Sequence, residues 1–111
     1  SAAASDGYKR QGLKPVDARV RDLALEPIPP KELEGYSLVV MDPPRAGAKA
    51  QAERLSDCQV PVIVSISCNP STFARDAAIL IEGGYRMGPV TPVDQFKWTG
   101  HVESVAVFRR R

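Results

Sequence analysis

The stretches SLVVMDPPR (residues 37–45) and VPVIVSISCNP (residues 60–70) decide how this chain is read. Each is a short run of apolar, largely β-branched residues that halts at a polar, proline-bearing tetrapeptide. Such runs without strict alternation predict strands covered on both faces, as in a parallel sheet. Between them, Ala46 to Asp57 is rich in alanine and charge and predicts a helix. After the second run, Phe73, Ala74, Ala77, Ala78, Leu80 and Ile81 fall at the spacing of one buried helical face over Ser71 to Glu82. Gly83 and Gly84 stop that helix.

Outward from this core the signals are shorter. Tyr85 to Val93 is strand-like but interrupted by Pro89 and Pro92, and Val102 to Phe108 alternates as a final strand. These two are expected to form a closing hairpin. Upstream, Val16, Ala18 and Val20 alternate with Asp17, Arg19 and Arg21, which predicts another strand. Pro27, Pro29 and Pro30 break the backbone, and Lys31 to Glu34 adds one helical turn closed by Gly35. Ala2 to Gln11 reads as the end of a helix, stopped by Gly12. The expected fold class is α/β. In open α/β sheets ligands bind at the carboxyl ends of the strands. DPPR (42–45), SCNP (67–70) and the polar segment Asp94 to Glu103 are all expected at that edge.

Composition narrows the function classes. The chain has 111 residues, 43% hydrophobic and 25% charged, with a formal net charge of +2. Disorder needs lower hydrophobicity and higher net charge. No run approaches the roughly 18 apolar residues of a membrane span, and SAAASDGYKRQ (1–11) lacks the order of a secretory signal. The even charge balance gives no electrostatic argument for nucleic acid binding, and Arg109 to Arg111 reads as a solvated end. With only Cys58 and Cys68 present, no disulfide framework is needed, so a reducing cytoplasm is the expected compartment.

Four residues are candidates for chemistry, each beside a plainer reading. Asp42 opens a loop that Pro43 and Pro44 stiffen, so its carboxylate can be held against a flat ligand; an ordinary turn with a surface Asp fits as well. Cys68 lies just before a predicted helix, whose dipole favours the nucleophilic thiolate, although a buried structural cysteine is the commoner fate. Glu103 enters the last strand beside Val102, Val105, Val107 and Phe108, and apolar surroundings make a carboxylate a better base; such a residue is more often simply solvated. Asp22 ends the first expected strand and either reaches a ligand's polar edge or caps the following loop. Cys58, at the other end of its strand, is read as structural. No metal site is expected, because Cys58, Cys68 and His101 are too scattered for zinc spacing.

Taken together, DPPRAG (42–47), SCNPSTFARD (67–76), DQF (94–96) and TGHVE (99–103) closely resemble the RNA uracil-5 methyltransferase family, in order and spacing over roughly residues 36–109. Residues 12–23 also look like the segment that precedes this block in the family. The resemblance implies a Rossmann-like methyltransferase fold, S-adenosylmethionine as cofactor, and RNA (ribosomal or transfer) as partner. It implies Cys68 as nucleophile, Glu103 as general base, Asp22 at the cofactor's adenine and Asp42 between cofactor and uracil. Lys97 and Trp98 stand where the family more often has Pro-His. The family's glycine-rich cofactor loop, its N-terminal RNA-binding domain and the iron–sulfur cysteines of some members have no counterpart in these residues. Residues 1–111 are therefore expected to be the C-terminal portion of a catalytic domain, inactive in isolation and prone to self-association through an exposed sheet edge. A cytosine-5 RNA methyltransferase is the alternative enzyme, and an inactive binding fragment the alternative to an enzyme.

Overall fold

The computed structural model describes residues 14–93 and 103–111. After an irregular segment, a single helical turn, α1 (Pro30–Leu33), leads into strand β1 (Leu38–Met41). Helix α2 (Lys49–Ser56), strand β2 (Val62–Ser67) and helix α3 (Pro70–Glu82) follow. The chain then forms β3 (Tyr85–Met87), β4 (Thr91–Val93) and β5 (Glu103–Arg110). Pro70 opens α3 at the one position where a missing N–H does no harm, and the Asn69 side chain accepts the Ser71 amide at 3.0 Å as its cap. None of the described helices is long and apolar enough to cross a membrane.

The α/β expectation holds, with a mixed sheet. β1 and β2 are parallel, Leu38 opposite Val62 through Met41 opposite Ser65. β5 lies antiparallel on the other side of β2, from Val62 opposite Arg109 to Ser67 opposite Ser104. β3 and β4 both pair antiparallel with β5, as one strand broken by Gly88 and Pro89. The expected closing hairpin is thus present, and β5 is wedged between β2 and the β3–β4 strand.

Helices α2 and α3 cover one face of this sheet. Against it they bury Leu55, Leu80, Ile63, Tyr85 and Phe108 at 1% exposure or less; each such side chain contributes roughly 1.5–3 kcal/mol on transfer from water. The tilted rings of Phe73 and Phe108, 6.4 Å apart, tie the start of α3 to β5. The expectation of strands covered on both faces is corrected. In β2 buried and half-buried residues alternate strictly, and on the second face Leu38 and Val40 are 49% and 57% exposed. Both faces are apolar in sequence, yet among the described residues helices pack on only one.

The strand expected over Val16 to Arg21 is also corrected: this segment is irregular and exposed, Val20 fully. Alternation records a two-sided ribbon, but a strand also needs a neighbouring ladder for its backbone groups. Asp17 to Arg21 belong to none of the described strands. The helix expected over 46–57 begins only at Lys49, because Arg45 to Ala48 is held in a loop by α3. The expected Ala2 to Gln11 helix lies outside the described residues.

Candidate active site

The parallel pair β1 and β2 sends DPPR and SCNP to the same edge of the sheet. Beside β1 a cleft of about 760 Å³ opens, lined among others by the turn at Asp22 to Ala24 and by Asp42 to Pro44. This volume suits a cofactor-sized molecule. Leu23, Ile28 and Met41 give it an apolar lining, and Asp22 and Asp42 are exposed carboxylates along it. Asp22 does cap its loop: one carboxylate oxygen, Oδ1, accepts the Ala24 amide at 3.0 Å, and its carbonyl accepts Leu25 and Glu26. Capping and lining the cleft are compatible, since a carboxylate has two oxygens.

Cys68 and Glu103 occupy a second place on the same edge. The last registered pair between β2 and β5 is Ser67 opposite Ser104. The ladder stops there: Cys68 follows Ser67 in the turn after β2 and Glu103 precedes Ser104, so the two leave the ladder at the same strand end. Both are half-buried. The approach to Cys68 is fixed by Ser67, whose hydroxyl donates to the Asn69 carbonyl at 3.0 Å and accepts the Asn69 amide at 3.2 Å. Neither Cys68 nor Glu103 lines the cleft that holds Asp22 and Asp42. Asp22 and Asp42 thus share the cleft, while Cys68 and Glu103 lie outside it at the β2–β5 strand end.

The bridge between the pairs was missed in the sequence. Asn69 Nδ2 and Thr72 Oγ1 each donate to the Arg45 carbonyl at 3.0 Å. Arg75 Nη2 donates to the Ala46 carbonyl at 2.9 Å, and Asp76 Oδ2 accepts the Ala48 amide at 2.7 Å. Asp76 is 5% exposed and is also paired with Arg75 Nε at 3.0 Å. Asn69, Thr72 and Asp76 fall three and four residues apart, on one face of the start of α3. That spacing of polar residues on an otherwise apolar helix was the signal available.

Cys58 is structural, as expected. It is fully buried before β2, at the edge opposite Cys68, with its sulfur 3.4 Å from the Tyr85 hydroxyl. Tyr85 donates to the Val60 carbonyl at 2.7 Å and carries the Arg110 guanidinium 4.1 Å above its ring. Burial, reinforced by the Cys58 contact, pushes the Tyr85 phenol up to about 12. Both cysteines are free, and no cluster of three or more metal-ligating side chains occurs among the described residues. His101 lies outside them.

Comparison with known proteins identifies the family. The chain is 58% identical over 100 residues to an uncharacterized RNA methyltransferase of Brucella suis biovar 1, covering 90% of this chain and 24% of that protein. It is 41% identical over 106 residues to the 23S rRNA (uracil(1939)-C(5))-methyltransferase of Chromohalobacter salexigens, covering 96% of this chain and 22% of that one. Its fold matches the crystal structure of the Pyrococcus abyssi tRNA (uracil-54, C5)-methyltransferase in complex with S-adenosyl-L-homocysteine, with TM-score 0.68 and 32% identity, over 95% of this chain and 25% of that one. The sheet is thus part of a Rossmann-like methyltransferase fold, and the chain spans about a quarter of the length of the relatives it matches. The model of the tRNA (Uracil-5-)-methyltransferase family matches residues 19–111, and the chain belongs to that family.

Proposed function

We propose that the protein carrying this chain transfers a methyl group from S-adenosylmethionine to C5 of a uridine in ribosomal or transfer RNA. The observation that carries the proposal is the antiparallel register of β2 and β5, whose last pair, Ser67 opposite Ser104, is followed by Cys68 on one side and preceded by Glu103 on the other, at one strand end. C5 of uracil is a weak nucleophile until a group adds at C6. In this reading the Cys68 thiolate forms a bond to C6, and the electron pair moves through the ring to make C5 nucleophilic. S-adenosylmethionine, when bound, supplies an electrophilic methyl group. Glu103 then takes the proton from C5, the C6–S bond breaks, and the Cys68 thiolate returns. A uridine in folded RNA must leave its stack to reach the thiol, which is easiest in a single-stranded loop.

The cleft fits the donor in size and in character. Its apolar lining suits a purine, and Asp22 and Asp42 among its carboxylates suit ribose hydroxyls and a cationic sulfur. Asp22 would hold the adenosine end and Asp42 the junction with uracil. A reduced thiol nucleophile and an RNA substrate both fit a reaction in the cytoplasm. The 111 residues alone are expected to bind S-adenosylmethionine more weakly than micromolar, since the matched relatives are about four times longer; calorimetry on the isolated chain checks this.

The complete protein, incubated with 5-fluorouracil-containing RNA and S-adenosylmethionine, should form a covalent adduct that Cys68→Ala abolishes. An adduct that survives Cys68→Ala refutes the nucleophile assignment. Glu103→Gln should still form an adduct on ordinary uridine RNA but release it slowly. Nucleoside analysis must return 5-methyluridine, and 5-methylcytidine would overturn the choice of base.

A further inference from the structure

We propose that Asp76, together with Thr72 and Arg75, positions the loop from Asp42 to Ala48 and so sets the distance between the donor cleft and the Cys68 strand end. The inference rests on the functional reading above. Pro43 and Pro44 stiffen the first half of this loop. In the second half, the carbonyls of Arg45 and Ala46 and the amide of Ala48 are each satisfied by α3 side chains. Ala48 precedes α2, and Gln51, the residue three on that could reach back to its amide, is engaged with Ile28, so the Asp76 carboxylate reaches across from α3 to take it.

The loop lies directly on α3. A Cβ at Gly47 would sit 2.6 Å from Arg75 Nη2, 2.8 Å from Asp76 Oδ2 and 2.8 Å from Thr72 Cβ. The same loop lines the cleft through Asp42, Pro43, Pro44, Ala46, Gly47 and Ala48, and Arg75 lines it beside them. The helix that grips the loop begins at Asn69 and Pro70, immediately after Cys68. Nucleophile and cleft carboxylate therefore belong to segments bolted together by charge-assisted hydrogen bonds, which are short and directional. Misplacing a reacting group by about 1 Å costs on the order of 10²-fold in rate. Asp76 touches no reacting atom in this scheme; it acts through the loop.

The test uses the complete protein and the variants Asp76→Ala, Asp76→Asn and Thr72→Val, with 5-methyluridine formation followed at separately saturated RNA and S-adenosylmethionine, and melting followed in parallel. Asp76→Ala should lower kcat on the order of 10²-fold per folded molecule while KM for RNA stays within about threefold. Asp76→Asn keeps a carbonyl oxygen for the Ala48 amide and should recover about tenfold of that loss. Thr72→Val keeps the side-chain shape, loses one donor to Arg45, and should lower kcat about tenfold with the fold intact; it carries the test if Asp76→Ala does not fold. Turnover per folded molecule within about twofold of the parent in the folded variants overturns the inference. A parent protein that makes no 5-methyluridine overturns the functional reading and the inference with it, so the two failures are distinct.

Discussion

Gly47 and Gly35 offer a matched pair for measuring how tightly the loop is held. Both backbones are left-handed, with φ of +80° and +92°. An alanine in that conformation costs roughly 1–2 kcal/mol, and a stiffer unfolded chain returns about 0.4–1 kcal/mol. Around Gly35 nothing lies within 4 Å of an added Cβ, so Gly35→Ala should destabilise by about 1 kcal/mol. At Gly47 the same methyl meets three atoms at 2.6–2.8 Å. The Arg75 guanidinium is the end of a flexible chain and can swing aside. Thr72 Cβ is one bond from the helix backbone and cannot, and Asp76 is buried and paired. Overpacking of this kind costs roughly 1–3 kcal/mol, so Gly47→Ala should lose about 2–4 kcal/mol in all. Urea unfolding followed by far-ultraviolet circular dichroism reads the difference. With a slope of roughly 1–3 kcal/mol/M, the midpoint should fall about 1 M further for Gly47→Ala than for Gly35→Ala. Equal shifts for the two variants would refute the close seat of the loop on α3.

At the opposite edge, Tyr85→Phe leaves the Val60 carbonyl without its 2.7 Å donor and should destabilise by about 1–2 kcal/mol in thermal melts. Because burial raises the Tyr85 phenol to about 12, above its ordinary value near 10, the folded state holds that proton more tightly than the unfolded chain. Its stabilisation is complete below about pH 10 and is lost as pH rises toward about 12; the parent should lose stability across that window and Tyr85→Phe should lose less, as denaturation at stepped pH will read. Arg110 donates to the Gly83 carbonyl at 2.7 Å and to the Ser56 carbonyl at 2.9 Å, gathering the ends of α2 and α3. Arg110→Met keeps the stem over Tyr85 but removes both donors, and calorimetric melting should report a loss of roughly 2–4 kcal/mol. The isolated 111-residue chain should self-associate through β1, which pairs only with β2 among the described residues; a monomeric mass by light scattering at high concentration would count against it.

The chemistry-bearing strand ends were legible because they depend on local signals. Apolar runs that halt at DPPR and SCNP mark where strands stop, and the alternation of buried and half-buried residues confirms β2 as one of them. Features that depend on a neighbour were not legible. Val16 to Arg21 alternates like a strand, but alternation carries no information about whether another ladder stands beside it. The face bearing Leu38 and Val40 is as apolar as the covered one, and sequence cannot count the helices that pack on it. The clamp of Asn69, Thr72, Arg75 and Asp76 escaped for a related reason. Each is polar and common at the start of a helix, and only the fold shows that their partners are backbone groups 24 to 29 residues away.

The direction of β5 joins these observations. A parallel strand would begin at the edge where β1 and β2 begin, roughly 20 Å from Cys68 at 3.3 Å per residue over a strand the length of β2. Because β5 runs antiparallel to β2, its first residue, Glu103, stands at the edge where β2 ends. One reversed strand therefore brings the start of one element, at Glu103, to the strand end that leads into Cys68. The clamp then fixes the third party, the Asp42 loop, to the helix that follows that thiol. The strand reversal and the clamp solve the same geometric problem at two scales. The sheet sets which residues can meet, and four side chains of α3 and its cap set how closely the loop is held.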